Sequence, residues 1–258
     1  MNVLDCIPLS LYRFWRWHPE VALRYMPIVR AIRRFPSSAT ILEVGSGPLG
    51  ISPYLGRSIT GVDQNFDGPS IPYTHKIKGD ATDLPFKDQG FDIVISVDML
   101  EHMSKEGRKK AIQEMVRVAR QMVAIGVPSG KEAEEHDKEM DNYYKKIFGH
   151  SYHFLVEQIG FGLPKKNDIV EVIERALSSH KRSASIRIEN NESIQLRTIL
   201  MKGWMTKNPI VNIIFRKLLL PFVFLFQYCN WQPAYRKIFI VSFSTNFKQT
   251  FQKKLKIG

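Results

Sequence analysis

Residues 39–50 read Ala-Thr-Ile-Leu-Glu-Val-Gly-Ser-Gly-Pro-Leu-Gly, and this stretch decides the fold. The short apolar run at 39–44 is typical of a buried strand, and the glycines that follow it are typical of a tight turn before a helix. Gly45, Gly47 and Gly50 fit the pattern Gly-x-Gly-x-x-Gly, in which the backbone can come close to a ligand. The pattern alone is weak, because nicotinamide and flavin binders share it.

Four further apolar runs rich in β-branched residues follow this stretch. They predict strands at 58–63, 74–80, 91–96 and 121–127, with a helix at 108–120 before the last of them. Near-continuous apolar strands that alternate with helices are typical of a parallel sheet buried on both faces. Ligands of such sheets bind at the carboxyl ends of the strands, so the residues directly after each strand are the candidates for a site.

Acidic residues stand at these strand ends. Glu43 precedes the first glycine by two positions, Asp63 ends the second strand, and Asp80 with Ala81 follows the third. Each acid alone is also a common turn residue. Together with the glycine turn they indicate a ligand site at the carboxyl edge of the sheet rather than separate turns.

Five ordered motifs give the chain a resemblance to a known family. They are Glu-Val-Gly-Ser-Gly-Pro-Leu-Gly at 43–50, Gly-Val-Asp at 61–63, Gly-Asp-Ala-Thr-Asp-Leu-Pro-Phe at 79–86, Phe-Asp-Ile-Val-Ile-Ser at 91–96 and Leu-Glu-His at 100–102. Through them the sequence resembles the class I S-adenosylmethionine-dependent methyltransferases. Within that class it is similar to the small-molecule group that includes the quinone-biosynthesis C- and O-methyltransferases. The resemblance covers residues 38–128, about half of the chain.

The resemblance implies an α/β fold, a doubly wound, seven-stranded, mostly parallel sheet with helical cap insertions. We expect strands six and seven at 182–189 and 235–244, with the last strand antiparallel. The expected organisation has three parts: an N-terminal helical cap at 1–37, a cofactor-binding core at 38–128, and a remainder at 129–258. The remainder completes the sheet and carries substrate-cap insertions at 129–165 and 190–234.

Two helices outside the core are also predicted. Apolar residues spaced for one face predict an amphipathic helix over 8–34, interrupted near Pro19. A second helix is predicted to begin at Asn167, a residue type that caps helix N-termini.

S-adenosylmethionine is the cofactor that the resemblance implies, and with it a set of candidate binding residues. Close backbone approach at Gly45–Gly47 suits the methionine portion, and Asp63 accepts from the ribose. Asp80 would accept from the adenine amino group, while the Ala81 amide faces the ring. The full set is Glu43, Gly45, Ser46, Gly47, Gly50, Asp63, Gln64, Asp80, Ala81, Ser96 and Val97.

Three of these candidates carry more specific expectations. In the family the acid at Glu43 lies close to the methionine amine, although the same carboxylate could instead fix the loop by bonding backbone amides. Ser96 and Val97 are expected to line the sulfonium side of the cofactor, because they end the fourth strand.

Histidines are the candidate catalytic groups on the acceptor side. His102 lies just after the fourth strand, where a base could reach the donor methyl group; it could equally be a packing residue at a helix start. His150, His153 and Glu157 would share one helix face, which is more often a solvated polar face than a metal cluster. A substrate-facing role for His150, His153 or the nearby tyrosines is more plausible than a metal site, and His153 is the second candidate catalytic residue. No metal site is predicted. His136 lies among acidic residues and is interpreted as part of a solvated helix face.

The net charge of +12, from 37 Lys and Arg against 25 Asp and Glu, favours an anionic partner. Residues 204–231 are aromatic and basic, which is compatible with peripheral contact with anionic lipid or with a cap packed on the sheet. Pro221 and irregular spacing favour the cap. No apolar run is expected to be long enough to span a membrane, because Arg216 and Lys217 interrupt the best candidate.

Methyl transfer from S-adenosylmethionine to a small-molecule or lipid-linked acceptor is the function that we expect. Nucleic acid is an unlikely partner, because the sequence contains nothing that resembles an RNA-binding module. Two cysteines, Cys6 and Cys229, without metal spacing, and the lack of a signal peptide predict a cytoplasmic protein, with membrane association left open. A non-catalytic cofactor-binding subunit and a nicotinamide-dependent oxidoreductase remain alternatives, and the oligomeric state is open.

Overall fold

The computed structural model describes residues 17–68 and 73–243, and within them seven strands form one sheet. The strands are β1 Ile41–Val44, β2 Ile59–Asp63, β3 Thr74–Lys78, β4 Phe91–Val97, β5 Ala119–Pro128, β6 Ala184–Ser193 and β7 Ala234–Phe243. Their order across the sheet is β3-β2-β1-β4-β5-β7-β6. Strands β1 to β5 are parallel, whereas β7 runs antiparallel to both β5 and β6. The predicted doubly wound, mostly parallel fold is confirmed.

Helices cover both faces of this sheet. They are α1 Pro19–Ile32, α2 Ser52–Leu55, α3 Lys105–Val118, α4 Lys131–Phe148, α5 His153–Phe161, α6 Lys166–Ser179, α7 Ile194–Trp204, α8 Pro209–Ile213 and α9 Val223–Phe226. Short 3-10 turns at Leu100–His102 and Leu220–Phe222 and a π turn at Ile214–Leu218 complete the described helical structure.

Alternation along the strands divides the core into two layers. Ile93 and Ile95 of β4 pack in the same cluster as Ile28 of α1, whereas Val94 between them packs in a cluster with Ile112 of α3. Successive side chains of a strand point to opposite faces, so a continuous apolar run buries both faces of the sheet. The apolar runs that predicted the strands are therefore explained by a sheet covered on both sides.

The structure places the starts of two predicted helices. Helix α1 begins at Pro19, near the predicted interruption, because proline's fixed φ and missing N–H are tolerated at the first position of a helix. The predicted residues 8–16 of that helix, and Cys6, lie outside the described residues. The prediction of Asn167 as a cap is wrong, because Lys165 is the N-cap of α6 and its side chain makes no capping hydrogen bond.

The insertions lie over the carboxyl edge of the sheet. The segment after β5 forms α4 and α5, and the segment after β6 forms α7 to α9. Strand β6 is longer than predicted and runs to Ser193, so the second insertion begins at Ile194 rather than at 190. Both insertions bring side chains to the crevice between β1 and β4, where the winding direction of the sheet reverses and ligands of such folds bind.

Candidate functional site

The glycine turn after β1 is tied to the end of β2. The Gly47 amide donates to Asp63 Oδ2 at 2.7 Å, and the Gly45 amide donates to the Val62 carbonyl at 2.8 Å. Gly45, Gly47 and Gly50 have φ of 74°, 55° and 53°, a region in which residues with a Cβ are strained. The glycines are thus required by the turn, and the turn places Asp63 beside it.

A cavity of about 310 Å³ lies between this turn and the ends of β2, β3 and β4. Five predicted cofactor-binding residues line it together: Gly45, Asp63, Gln64, Asp80 and Ala81. Asp63 and Asp80 therefore share one cleft beside Gly45, as the sequence predicts.

The two carboxylates are held by the backbone around them. Asp63 Oδ1 accepts from the Asn65 amide at 3.1 Å, while its Oδ2 accepts from Gly47. Asp80 Oδ1 accepts from the Thr82 amide at 2.8 Å and from the Thr82 hydroxyl at 2.9 Å. Each carboxylate oxygen can accept a further donor, so both side chains are oriented and still able to bind a ligand in the cavity.

Glu43 lies behind the turn rather than in the cavity. Its side chain is fully buried, with Oε1 accepting from the Tyr25 hydroxyl at 2.9 Å and Oε2 from the Ile51 amide at 2.6 Å. Burial raises the pKa of this carboxyl to about 8, although both hydrogen bonds oppose the shift. The geometry favours the loop-fixing role for Glu43 over contact with a methionine amine.

The other predicted residues of the turn support it from inside. Ser46 is buried, its hydroxyl donates to the Gly47 carbonyl at 3.1 Å, and it packs against Gly61. A Cβ at Gly50 would collide with the Glu43 carboxylate. Ser46 and Gly50 do not line the cavity, and they act on it through the shape of the turn.

Ser96 and Val97 do not line the cavity, and their expected contact with a sulfonium stays a prediction. Both are buried in the sheet, at 1% and 4% exposure. Asp98 and Met99, which follow them, line the cavity instead. Asp98 has φ of 50°, which turns the chain at the end of β4 and carries its side chain to the crevice.

A second, larger cavity of about 550 Å³ adjoins the first. Asp98, His102 and Phe154 line both. Its remaining wall is largely aromatic and charged. It includes His18, Glu20, Arg24, Tyr54, Tyr152, Arg197, Trp204, Arg216 and Tyr235, which come from or border α1, α2, α5, α7, the segment after α7, and β7. The arrangement gives two chambers that meet at three shared side chains.

Buried ion pairs form the floor of the larger cavity. Arg24 donates to Glu20 at 2.6 and 2.7 Å and pairs with Asp98 at 2.8 Å, and Arg197 donates to Glu20 at 2.8 Å. Arg236 holds the other side of Asp98 at 2.6 and 2.7 Å. Burial opposes ionisation of Glu20 and Asp98, but the adjacent guanidinium groups outweigh it and hold the pKa of both carboxyls below their usual range.

His102 stands where the two cavities meet. Its Nδ1 lies 2.8 Å from Glu157 Oε2, and its Nε2 lies 3.3 Å from Gln158 Nε2. A carboxylate only accepts and an amide nitrogen only donates, so Nδ1 carries the proton and Nε2 has the lone pair. Glu157 and Gln158 thus orient the two ring nitrogens of His102, which lines both cavities, and its role as a base stays a prediction.

Three other histidines depart from the predictions. His153 is 77% exposed and lines neither cavity, although its Nε2 lies 3.3 Å from Glu157 Oε1. His150 precedes α5, so it does not share a helix face with His153. His136 is buried, not solvated, because α4 packs it against Tyr235 and Thr198. Within residues 17–68 and 73–243 no group of three or more His, Cys, Asp or Glu side chains is placed to hold a metal ion.

The comparisons with known proteins agree with this geometry. A family model described as a methyltransferase domain matches residues 42–124, the part that contains the glycine turn, Asp63 and Asp80. A solved structure from Thermotoga maritima, described as a SAM-dependent methyltransferase and possible histamine N-methyltransferase, has a similar fold. The TM-score is 0.51 at 12% identity, and the match covers 87% of this chain and 92% of that one. Residues 42–124 thus form a methyltransferase domain, and the chain has the fold of S-adenosylmethionine-dependent methyltransferases.

Relatives of this methyltransferase in sequence differ in their acceptors. It is 32% identical over 133 residues to the tRNA (carboxymethyluridine(34)-5-O)-methyltransferase of Arabidopsis thaliana, which covers 46% of this chain and 29% of the relative. It is 40% identical over 70 residues to the fatty-acid O-methyltransferase of Mycolicibacterium smegmatis, with coverage of 22% and 26%. The chain spans less than a third of the length of these two relatives.

The smaller cavity suits the cofactor of this methyltransferase family. Two carboxylates at neighbouring strand ends line it, and the small residues Gly79 and Ala81 on either side of Asp80 also line it, which suits a flat ring. A Cβ at Gly47 would extend into open space beside Asp63, so the backbone there is accessible to a ligand. These features fit S-adenosylmethionine. That donor carries no phosphate, so its site does not need a positively charged side chain.

Sequence reasoning missed several residues of the larger cavity. Glu20, Arg24 and Asp98 are not among the residues that the sequence singles out, and Glu157 enters only as a member of the helix-face cluster with His150 and His153. The spacing of Glu20 and Arg24, four residues apart on a helix, was the available signal for a pair. Nothing in the local sequence indicates that Arg197 and Arg236 meet that pair, because they lie more than 170 residues further along the chain.

Proposed function

We propose that the protein transfers the methyl group of S-adenosylmethionine to a small-molecule or lipid-linked acceptor bound in the 550 Å³ cavity. The observation that carries this proposal is the contact between the two cavities at Asp98, His102 and Phe154. A donor in the smaller cavity and an acceptor in the larger one would meet at these side chains. Methyl transfer is an in-line displacement, so alignment of the two partners is the main task of the protein.

The larger cavity supports an acceptor with both polar and apolar parts. Its floor presents the ion pairs of Glu20, Arg24 and Arg197, while Phe154 and Trp204 offer apolar surface. His18 also lines the cavity, and burial lowers its pKa to about 4, so it is neutral at physiological pH. The charges of these ion pairs already compensate one another. The cavity therefore favours an acceptor with a neutral polar group that can form hydrogen bonds over an acceptor with an unpaired charge.

His102 is the residue best placed to take a proton from the acceptor. Its lone pair is on Nε2, its ring faces both cavities, and Glu157 fixes the other ring nitrogen. When bound, S-adenosylmethionine supplies an activated methyl group on a sulfonium. A base is needed only where the acceptor atom must lose a proton, as in a hydroxyl, a thiol or an acid.

The test combines binding with transfer. Calorimetric titration is expected to show binding of S-adenosylhomocysteine and not of NADH; binding of NADH alone would overturn the proposal. Labelled S-adenosylmethionine is then incubated with the protein and a cell extract that is separated into small-molecule, lipid and RNA fractions. Label in the first two supports the proposal, label only in RNA contradicts the acceptor class, and label that needs a second added protein indicates a partner subunit.

A variant of His102 tests its role in the same assay. His102→Asn is expected to lower the rate of labelling by about 10²- to 10⁴-fold, the usual contribution of a general base. The matched control is His75→Asn, because His75 is exposed on β3 and lines neither cavity. Equal rates for the two variants, with unchanged S-adenosylhomocysteine binding, would exclude His102 as the base.

A further inference from the structure

The segment from Pro209 to Trp231 has two faces of different character. Its inner side packs on the core through Phe215, Leu219, Leu220, Val223 and Phe226. Its outer side exposes eight large apolar side chains, each between 48% and 74% exposed: Ile210, Ile213, Leu218, Phe222, Phe224, Leu225, Tyr228 and Trp231. We call these eight residues the apolar ridge. Exposed apolar surface on this scale marks an interaction site.

The apolar stretch in this segment is longer than the sequence analysis expects. Within the described residues, Pro209–Phe226 is a stretch of 18 residues with a mean hydropathy of 1.8, apolar enough to cross a membrane by length and composition. The prediction that Arg216 and Lys217 would prevent such a stretch is wrong. The expected cap packed on the sheet describes only the inner side of this segment, since Leu220 and Val223 are the only buried residues of these 18.

The part of the sequence that carries the ridge has charged residues of a single sign. From Ser193 to Gly258 the sequence contains eleven Lys and Arg and no Asp or Glu. Lys207, Arg216 and Lys217 lie in or next to the ridge segment. Two copies of such a surface would bring like charges together, which disfavours a second copy as the partner. An anionic surface complements it.

We infer that the apolar ridge docks on an anionic lipid bilayer. Ile210, Leu218 and Leu225 would enter the apolar boundary, while Tyr228 and Trp231 belong to the residue types enriched at the membrane interface. The neighbouring cations lie close to the lipid headgroups. The inner side stays on the protein core, so the segment lies along the surface of the bilayer rather than crossing it.

The segment that carries the ridge also contributes to the wall of the larger cavity. Trp204 and Arg216 line that cavity, and Arg216 lies over the Trp204 ring at 5.6 Å. Docking would hold this part of the cavity wall close to the bilayer, so an acceptor with an apolar anchor could enter headgroup first. The docking inference does not depend on the proposed methyl transfer. Only the delivery of an acceptor rests on that proposed function.

Flotation with lipid vesicles tests the inference on the full chain. We expect the protein to float with vesicles of phosphatidylcholine that contain phosphatidylglycerol and to remain unbound to phosphatidylcholine alone. The triple variant Ile210→Ser, Leu218→Ser, Leu225→Ser is expected to lose flotation. The control is Val156→Ser, Phe161→Ser, because these exposed apolar residues of α5 lie outside the ridge.

The outcomes separate docking from catalysis and from other occupants. Circular dichroism and S-adenosylhomocysteine binding of the triple variant must match the parent, which shows that the fold and the cofactor site remain. Absence of flotation of the parent overturns the inference, and so does equal flotation of both variants. A parent dimer in light scattering that the triple variant abolishes, without flotation, assigns the ridge to self-association. Flotation without methyl transfer leaves docking supported and contradicts only the proposed function.

Discussion

Arg236 and Asp98 are joined by two parallel hydrogen bonds, from Nε to Oδ1 at 2.6 Å and from Nη2 to Oδ2 at 2.7 Å. Arg236 is fully buried on β7, and Asp98 follows β4 at the point where the two cavities meet. The pair therefore fixes the end of β4 against an antiparallel strand on the far side of β5. A bidentate arginine–carboxylate pair adds geometric specificity as well as energy.

Removing Arg236 should destabilise the protein strongly. Arg236→Met leaves Asp98 and Glu192 with buried charge that is less well compensated, so we expect the free energy of unfolding to fall by about 3–5 kcal/mol. Urea denaturation measures this. In the control, Arg175→Met breaks an exposed pair with Glu171 and should change stability by no more than about 0.5 kcal/mol. Similar losses in both variants would mean that the buried pair has no special structural role.

Asp63 should control cofactor affinity. Asp63→Ala removes the acceptor of the Gly47 amide and the proposed acceptor of the ribose hydroxyls. A hydrogen bond to a charged group contributes about 1.5–3 kcal/mol, so S-adenosylhomocysteine should bind about 10- to 100-fold more weakly in calorimetry. Asp67→Asn, at an exposed aspartate outside the cavity, should bind like the parent. Unchanged affinity of Asp63→Ala would remove this residue from the site.

Two glycines should respond to alanine in opposite directions. Gly50 has φ of 53° and its Cβ would meet the Glu43 carboxylate, so Gly50→Ala should lower the free energy of unfolding by more than about 1 kcal/mol. Gly160 lies within α5 with open space around it, so Gly160→Ala should raise stability by about 0.5–1 kcal/mol. Thermal unfolding of the two variants shows whether the sign differs as expected.

The strands and the two cofactor-facing carboxylates could be predicted because local sequence decides them. A β-branched apolar run predicts a strand buried on both faces, and the residue after it necessarily lies at the carboxyl edge of a parallel sheet. Asp63 and Asp80 were therefore placed together correctly without any knowledge of long-range contacts.

The acceptor side could not be predicted in the same way, because tertiary packing decides it. His136 has three acidic neighbours in sequence, which suggested a solvated face, but Tyr235 covers it. Arg24 has the spacing of a surface arginine on α1. In the fold it pairs with Asp98, which follows β4 and is distant from it in sequence. His153 and His102 share the carboxylate of Glu157, and only the path of α5 decides which of them faces a cavity.

The buried carboxyl of Glu43 should give the protein a distinctive dependence on pH. Its pKa is raised from 4.5 to about 8, chiefly by burial, so the folded state binds its proton more tightly than the unfolded state. This contribution to stability is fully present below the unfolded pKa and is lost as pH rises through the folded pKa. Between about pH 5 and pH 8, the contribution of this group should fall by about 1.4 kcal/mol per pH unit.

Glu43→Gln isolates this effect. The amide does not titrate, and its oxygen can still accept from the Ile51 amide while its nitrogen donates to the Tyr25 oxygen. The other buried acids titrate equally in both proteins, so the difference between the two stability curves reports Glu43 alone. In urea unfolding across this pH range, Glu43→Gln should gain stability relative to the parent as pH rises. Parallel curves would show that Glu43 is ionised throughout and that its burial does not favour the proton.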